Sequence, residues 1–288
     1  MTTISASMVK ELRDKTGQAM MDCKAALNDT GGDMEKAIEL LRKKGMAVMD
    51  KRSERETKEG RVVSRSSADN KTVALFALCS ETDFTAKNEE FIATAEAGAE
   101  ALLAASAAPT DEATLGALPT PDGSTIADKV NDIISKTGEK TTLGSFARLQ
   151  LDGDGVVHSY VHFNNKLGAV VQLETDKPVD AETLKPLAGD LAMHATVFNP
   201  DALNRDEVDP ALVAKEREIA AEQVKGKPEN IIEKIVDGKL NKWYGDIVML
   251  EQAFVKDDSK TVQEVIAETA KQLGVQITLA AFKRVAAG

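Results

Sequence analysis

Two distant stretches of this chain carry the same pattern, and an internal repeat constrains a fold more than any single motif can. Gly60-Arg61-Val62-Val63, Asn70-Lys71, an apolar run and Glu81-Thr82-Asp83 are echoed by Gly155-Val156-Val157, Asn165-Lys166, an apolar run and Glu174-Thr175-Asp176. Each unit reads as a β-hairpin followed by a helix. The run from Thr72 to Cys79 is apolar on both alternating faces, as a buried strand requires. The expected class is α+β, with two related half-cores built on antiparallel sheets. The copies differ where the second strand ends: the first continues with Phe84, the second with Lys177-Pro178. A scaffold that needed an aromatic there would place one in both, so Phe84 reads as a residue that meets something outside the chain.

Before the repeat, the pattern predicts three short helices. Ser5 or Ser7 caps the first, Ala19 to Leu27 form the second, and Asp33 caps a third that turns Met34, Ala37, Ile38 and Leu41 inward. Met20 and Met21 are adjacent and cannot share one helical face, so at least one is expected at the surface, where methionine tolerates varied contacts. The run from Asp50 to Glu59 alternates in charge and holds no apolar residue, which marks a solvated linker on which the helices pivot.

Within the first half, Asn88 caps an alanine-rich helix, a Pro-rich loop runs from Ala108 to Ser124, and a helix through Ile126, Val130 and Ile134 leads to a strand through Leu143 and Phe146. In the second half, Val157, Val161 and Phe163 are expected on one face of a strand, with His158, Tyr160 and His162 on the other. Asp209-Pro210 starts a helix, Gly226-Lys227-Pro228 turns the chain, and a second helix returns through Ile231, Val236 and Trp243 as an antiparallel hairpin. A last helix around Val265 and an edge strand at Val275 to Leu279 complete the half. The expected division is residues 1–54, 55–142 and 143–288, with the helical hairpin inserted at about 209–244.

The net charge of -11 argues against a broad nucleic-acid footprint, which needs clustered Lys and Arg. No apolar run is long enough to span a bilayer, and the start lacks the basic and apolar regions of a secretory signal, so a cytoplasmic location is expected. Cys23 and Cys79 have neither zinc nor redox spacing and read as reduced packing residues. Histidines at strand spacing lack companion ligands, so no metal or cofactor is expected.

Thr82-Asp83-Phe84, followed by Ala86, Asn88 and Phe91, resembles the Thr-Asp-Phe signature of the bacterial translation elongation factor Ts family. A second segment agrees with it: Val9-Lys10-Glu11-Leu12-Arg13, then Thr16-Gly17, then Met20-Met21-Asp22-Cys23-Lys24. The resemblance implies a UBA-like three-helix domain at the N-terminus and a coiled-coil insertion for the helical hairpin. It implies a guanine-nucleotide exchange factor, not an enzyme, with elongation factor Tu as its partner, and it leaves open a homodimer within a heterotetramer. Contacts with that partner would fall to Arg13, Met20, Met21, Thr82, Asp83, Phe84, Leu167, Gly168 and His194. Ala19, Thr85 and Ala195-Thr196-Val197 depart from the family pattern beside these positions. Two other readings compete: a scaffold or adaptor without effect on nucleotide, and an enzyme using Glu81 and Asp83 with a histidine base. The enzyme reading is weakened because phosphate loops, nucleophile elbows and Cys-His pairs are absent.

Overall fold

The computed structural model of the chain describes residues 4–16, 18–51, 54–224 and 229–288. Gly17, Arg52-Ser53 of the charged linker, and the Gly226-Lys227-Pro228 turn lie outside the described residues. Helices α1 (Ala6–Thr16), α2 (Met20–Asp29) and α3 (Met34–Lys51) come first. The first half then runs β1 (Glu59–Ser66), β2 (Thr72–Ser80), the single-turn α4 (Asp83–Ala86), α5 (Glu89–Ala104), α6 (Glu112–Gly116), α7 (Ile126–Thr137) and β3 (Thr141–Gln150). The second runs β4 (Gly155–Val161), β5 (Leu167–Thr175), α8 (Ala181–Phe198), α9 (Pro210–Glu222) and α10 (Glu229–Ile247). It ends with β6 (Ala253–Phe254), β7 (Asp257–Thr261), α11 (Val262–Leu273) and β8 (Ile277–Ala286).

Two antiparallel sheets, ordered β1-β2-β3 and β4-β5-β8, lie face to face. Along β2 the side chains alternate in destination. Val73, Leu75 and Ala77 enter a cluster shared with Val157, Val170 and Val285 of the second sheet, while Ala74, Phe76 and Leu78 pack under α5 and α7. That double burial is the reason the run shows no polar alternation. On the far side, α8 and α11 cover the second sheet through Leu184, Leu191 and Ile266. The α+β architecture is thus helix, sheet, sheet, helix.

The repeat reaches further than the short pattern shows. Asn70 and Asn165 both adopt the left-handed conformation, at φ 57° and 56°, in turns with matching hydrogen bonds. Asn70 N donates to Ser67 O (3.1 Å) and Asn165 N to His162 O (2.8 Å). Both β2–β3 and β5–β8 carry a register shift, after Phe76 and after Gln172. Helices α7 and α11 each begin with a capping box, Thr125–Asp128 and Thr261–Glu264, and end on a left-handed glycine, Gly138 and Gly274. The halves grip one another reciprocally. Val62 N donates to Asn165 O (2.6 Å) and Val157 N to Asn70 O (3.0 Å), while the equivalent hydroxyls of Ser64 and Ser159 meet at 2.6 Å.

Three expectations from the sequence are corrected. Phe163 does not continue β4: the strand ends at Val161, and Phe163 stands in the β4–β5 turn with 85% of its surface exposed. The last strand is longer than expected and runs to Ala286, because it pairs with the whole of β5. The N-terminal bundle, whose own core is Leu12, Cys23, Ala26, Leu27 and Leu41, does not stand free. Its α3 packs along α7, and Lys15, Thr16 and Gln18 close a small crevice against Asp132, Ser135 and Lys136.

The hairpin α9–α10 starts as expected, with Asp209 capping Ala211 N (2.9 Å) ahead of Pro210. Ala220 and Val224 pack on Val236 and Leu240 between the two helices. Its base is clamped: Asp201 N donates to Ile247 O and Met249 N to Ala202 O, both at 2.9 Å. Arg205 binds both Glu251 oxygens (2.5 and 2.6 Å) and lies 4.3 Å from the Tyr244 ring centroid.

Gly60 and Gly155 open the two hairpins at φ 154° and 129°, where a built Cβ would lie 2.3 Å from Leu78 O and 2.0 Å from Leu173 O. Gly155→Ala must therefore push β4 away from β5. Urea denaturation should show a loss of about 2–4 kcal/mol, the range expected where backbone strain and overpacking coincide. An unchanged midpoint would show that the strand opening tolerates a side chain.

Candidate functional site

Strand β2 ends at Ser80, and the chain turns at once into α4. Thr82 caps this turn, accepting from Thr85 N (3.4 Å), and Glu139 grips it from the link between α7 and β3, accepting from Thr82 N (3.2 Å) and from Thr82 Oγ1 (2.8 Å). Thr85 and Ala86 are buried beneath, so the turn is fixed from below and from the side. Phe84 then has nowhere to pack and projects with 83% of its surface exposed. A buried core would supply about 1.5–3 kcal/mol to such a ring, and the free chain forgoes that here.

Glu81 and Asp83 do not share a side. Glu81 turns inward to Arg55 (2.7 Å) and the Lys140 amide (2.6 Å), whereas Asp83 turns outward to Lys87 (2.6 Å). This separates the acid pair that the enzyme reading would use. The Lys87 hydrogen bond holds the Asp83 carboxyl below the usual carboxylate range, so the group is an anion near neutral pH.

The β4–β5 turn meets this region across β1. Lys166 pairs with Glu59 at 2.6 Å, Asn165 O is bonded to Val62 N, and the Lys166 charge also reaches Asp83. Leu167 follows Lys166 and is half-buried. Gly168 is buried, and a Cβ there would lie 2.9 Å from Tyr160 O and 3.3 Å from a Val62 methyl, so its part is to let β5 approach the neighbouring strands.

Arg13, Met20 and Met21 are exposed on α1 and α2, with Met21 73% exposed. The docked bundle brings Thr16 and Gln18 to a crevice shared with Asp132, Ser135 and Lys136 of α7, and Lys136 pairs with Glu90 (2.9 Å) at the start of α5. Burial raises the Asp132 carboxyl, with the Arg42 charge opposing it, and Ser135 Oγ is buried without a hydrogen-bond partner among the described residues.

His194 is elsewhere and is not a surface residue. It is 0% exposed on α8, with Nε2 2.9 Å from Gln252 Oε1 and Nδ1 accepting from Val255 N (3.2 Å). Its ring stacks on Phe198, which is exposed. His194 thus lies inside the fold, and Phe198 stacked on it is the ring that reaches solvent at this place. Residue-by-residue reading missed Phe163 and Phe198, yet the repeat carried a signal for the first. Phe163 occupies the place of Ala68, two residues before the turn asparagine.

Burial holds the His194 pKa below 6.5, outweighing the Gln252 hydrogen bond. An unfolded histidine binds its proton as the pH falls through about 6.5, while the buried one does not, so this stability is intact above that pH and lost below it. Denaturation at pH 7.5, 6.5 and 5.5 should show a decline that His194→Gln makes shallower. His158 shifts in the same direction and keeps part of the slope.

The matching family model is that of elongation factor TS, over residues 81–288. The chain is 42% identical to the elongation factor Ts of Magnetococcus marinus, over 98% of this chain and 91% of the relative. It is 42% identical to that of Chlorobaculum parvum, over 99% and 98%, and 40% identical to that of Nitratidesulfovibrio vulgaris strain DP4, over 98% and 94%. With the similarity running through both halves, the chain belongs to the elongation factor Ts family of translation elongation factors.

Proposed function

We propose that this protein is a guanine-nucleotide exchange factor that binds elongation factor Tu and promotes release of GDP. The observation that carries this reading is Phe84, almost fully exposed on a turn that is braced from two sides. An exchange factor needs no catalytic acid or base. It binds the nucleotide-free GTPase better than the GDP form, and by linkage it weakens GDP binding by the same factor. Each tenfold weakening takes about 1.4 kcal/mol of differential contact, which an aromatic wedge and a broad interface supply. In this reading Phe84 enters the GTPase and displaces what occupies its pocket in the GDP form. Asp83, an anion beside it, acts on the partner's magnesium, a hard cation that bridges phosphate oxygens. Arg13, Met20 and Met21 grip the same domain from the bundle, Leu167 extends the face, and Phe198 over His194 meets a distal domain.

Stopped-flow release of a fluorescent GDP across a magnesium series tests the reading. Phe84→Ala should slow release by about tenfold or more at every magnesium concentration, the effect of losing a buried aromatic anchor. Asp83→Ala should slow it most when magnesium is abundant and little once the metal is chelated. If both variants match the parent, this turn has no part in exchange. If the parent binds the GTPase without accelerating release, the protein is an adaptor.

A further inference from the structure

The internal two-fold offers a control for asking which surface features the fold itself requires. Its hairpin turns match residue for residue: Lys71 N bonds to Asp69 (3.1 Å) as Lys166 N bonds to Asn164 (3.0 Å), and Ser67 N bonds to Thr72 O as His162 N bonds to Leu167 O, both at 2.8 Å. At the position between these anchors the first turn has Ala68 and the second has Phe163. At the end of the second strand the roles reverse, with Phe84 in the first half and Lys177 in the second. Neither phenylalanine is therefore needed by its scaffold. They are the two most exposed of the large apolar side chains among the described residues, at 83% and 85%.

The two departures from symmetry fall on one side of the molecule. Each hairpin turn reaches across to the other half, and the turn that bears Phe163 is bonded to β1 through Asn165 O and Val62 N. Helix α4, which bears Phe84, packs on β1 as well. Between them lie two ion pairs, Asp83–Lys87 and Glu59–Lys166, close enough that Lys166 acts on Asp83 and Glu59 acts on Lys87. The face related by the two-fold has Ala68 and Lys177 and no aromatic at either place. Phe163 is also held in place: its ring lies 4.4 Å from that of His162, whose Nδ1 is 3.1 Å from the Tyr160 hydroxyl. An exposed ring already fixed by a neighbour loses little freedom on binding.

We propose that Phe163, oriented by His162 and Tyr160, is a second apolar anchor for the same protein partner as Phe84, and that it enters a separate apolar pocket of that partner across the Asp83–Lys87 and Glu59–Lys166 charges. This rests on the reading of the Phe84 face given above. The commitment to one shared partner comes from continuity: both rings flank one strand and one charge cluster, so a protein that covers Phe84 with an interface of ordinary width, about 800 Å² on each partner, extends to Phe163.

The test measures affinity for nucleotide-free elongation factor Tu by titration calorimetry, with full-length protein carrying Phe163→Ala, Phe163→Leu or Phe84→Ala. Sedimentation of each protein alone accompanies it. Phe163→Ala should weaken binding by about tenfold or more, as loss of a buried aromatic anchor does, and Phe163→Leu should weaken it less. Thermal melts should be unchanged, since the side chain packs on no core. Weakening by Phe84→Ala with no effect of Phe163→Ala overturns this inference and leaves the exchange reading intact. No effect of either variant removes the whole face from the interface. A shift in sedimentation by Phe163→Ala, with partner affinity unaltered, makes a second copy of the chain the occupant and overturns the proposal.

Discussion

The structure depends on a reciprocal grip between two hairpins. Each half lends a turn asparagine carbonyl to a strand amide of the other, Asn165 to Val62 and Asn70 to Val157, and the valines themselves close the apolar layer between the sheets. The bonds and the layer support each other. Without the valine layer the amides would face water and gain little from a protein acceptor; without the bonds, polar groups at the rim of that layer would be buried unmet. The two most exposed phenylalanines of the described residues, Phe84 and Phe163, stand beside this joint. Helix α4 and the β4–β5 turn approach each other only because the joint brings the second hairpin to β1.

The core was legible because its signals are local and repeated. The Asn-Lys turns, the unbroken apolar run of β2 and the Asn88 and Asp209 caps each have a single physical meaning, and each occurs where the chain needs it. Phe84 was legible for the opposite reason: it breaks the repeat. Phe163 was not, since alternation along Val157, Val161 and Phe163 reads as a strand face, and only the hydrogen bonds of the turn show that the strand has already ended. The burial of His194 was not legible either. It comes from Gln252 and Phe254, about sixty residues further on, and no local pattern announces them.

The docking of the N-terminal helices was also beyond a local reading. The charged run after α3 has the composition of a solvated tether, yet the contact that places the bundle is made by α3 itself on α7. That contact has few of the marks of a permanent core. Beside it lie a buried hydroxyl without a partner among the described residues, at Ser135, and a carboxyl raised by desolvation, at Asp132, each a cost that a dry apolar seam would not carry.

The clamp at the base of the α9–α10 hairpin has an evolutionary consequence. Strand-like bonds between Asp201 and Ile247 and between Ala202 and Met249, together with the Arg205 fork, close the entry and exit of the arm on themselves before either helix begins to matter. The sheet therefore registers the arm only as a closed junction. Turns can be added to or removed from both helices in step, and the surface of the arm can drift toward new roles, while the rest of the protein remains blind to the change. The arm is thus a place where lineages are free to diverge without renegotiating the fold.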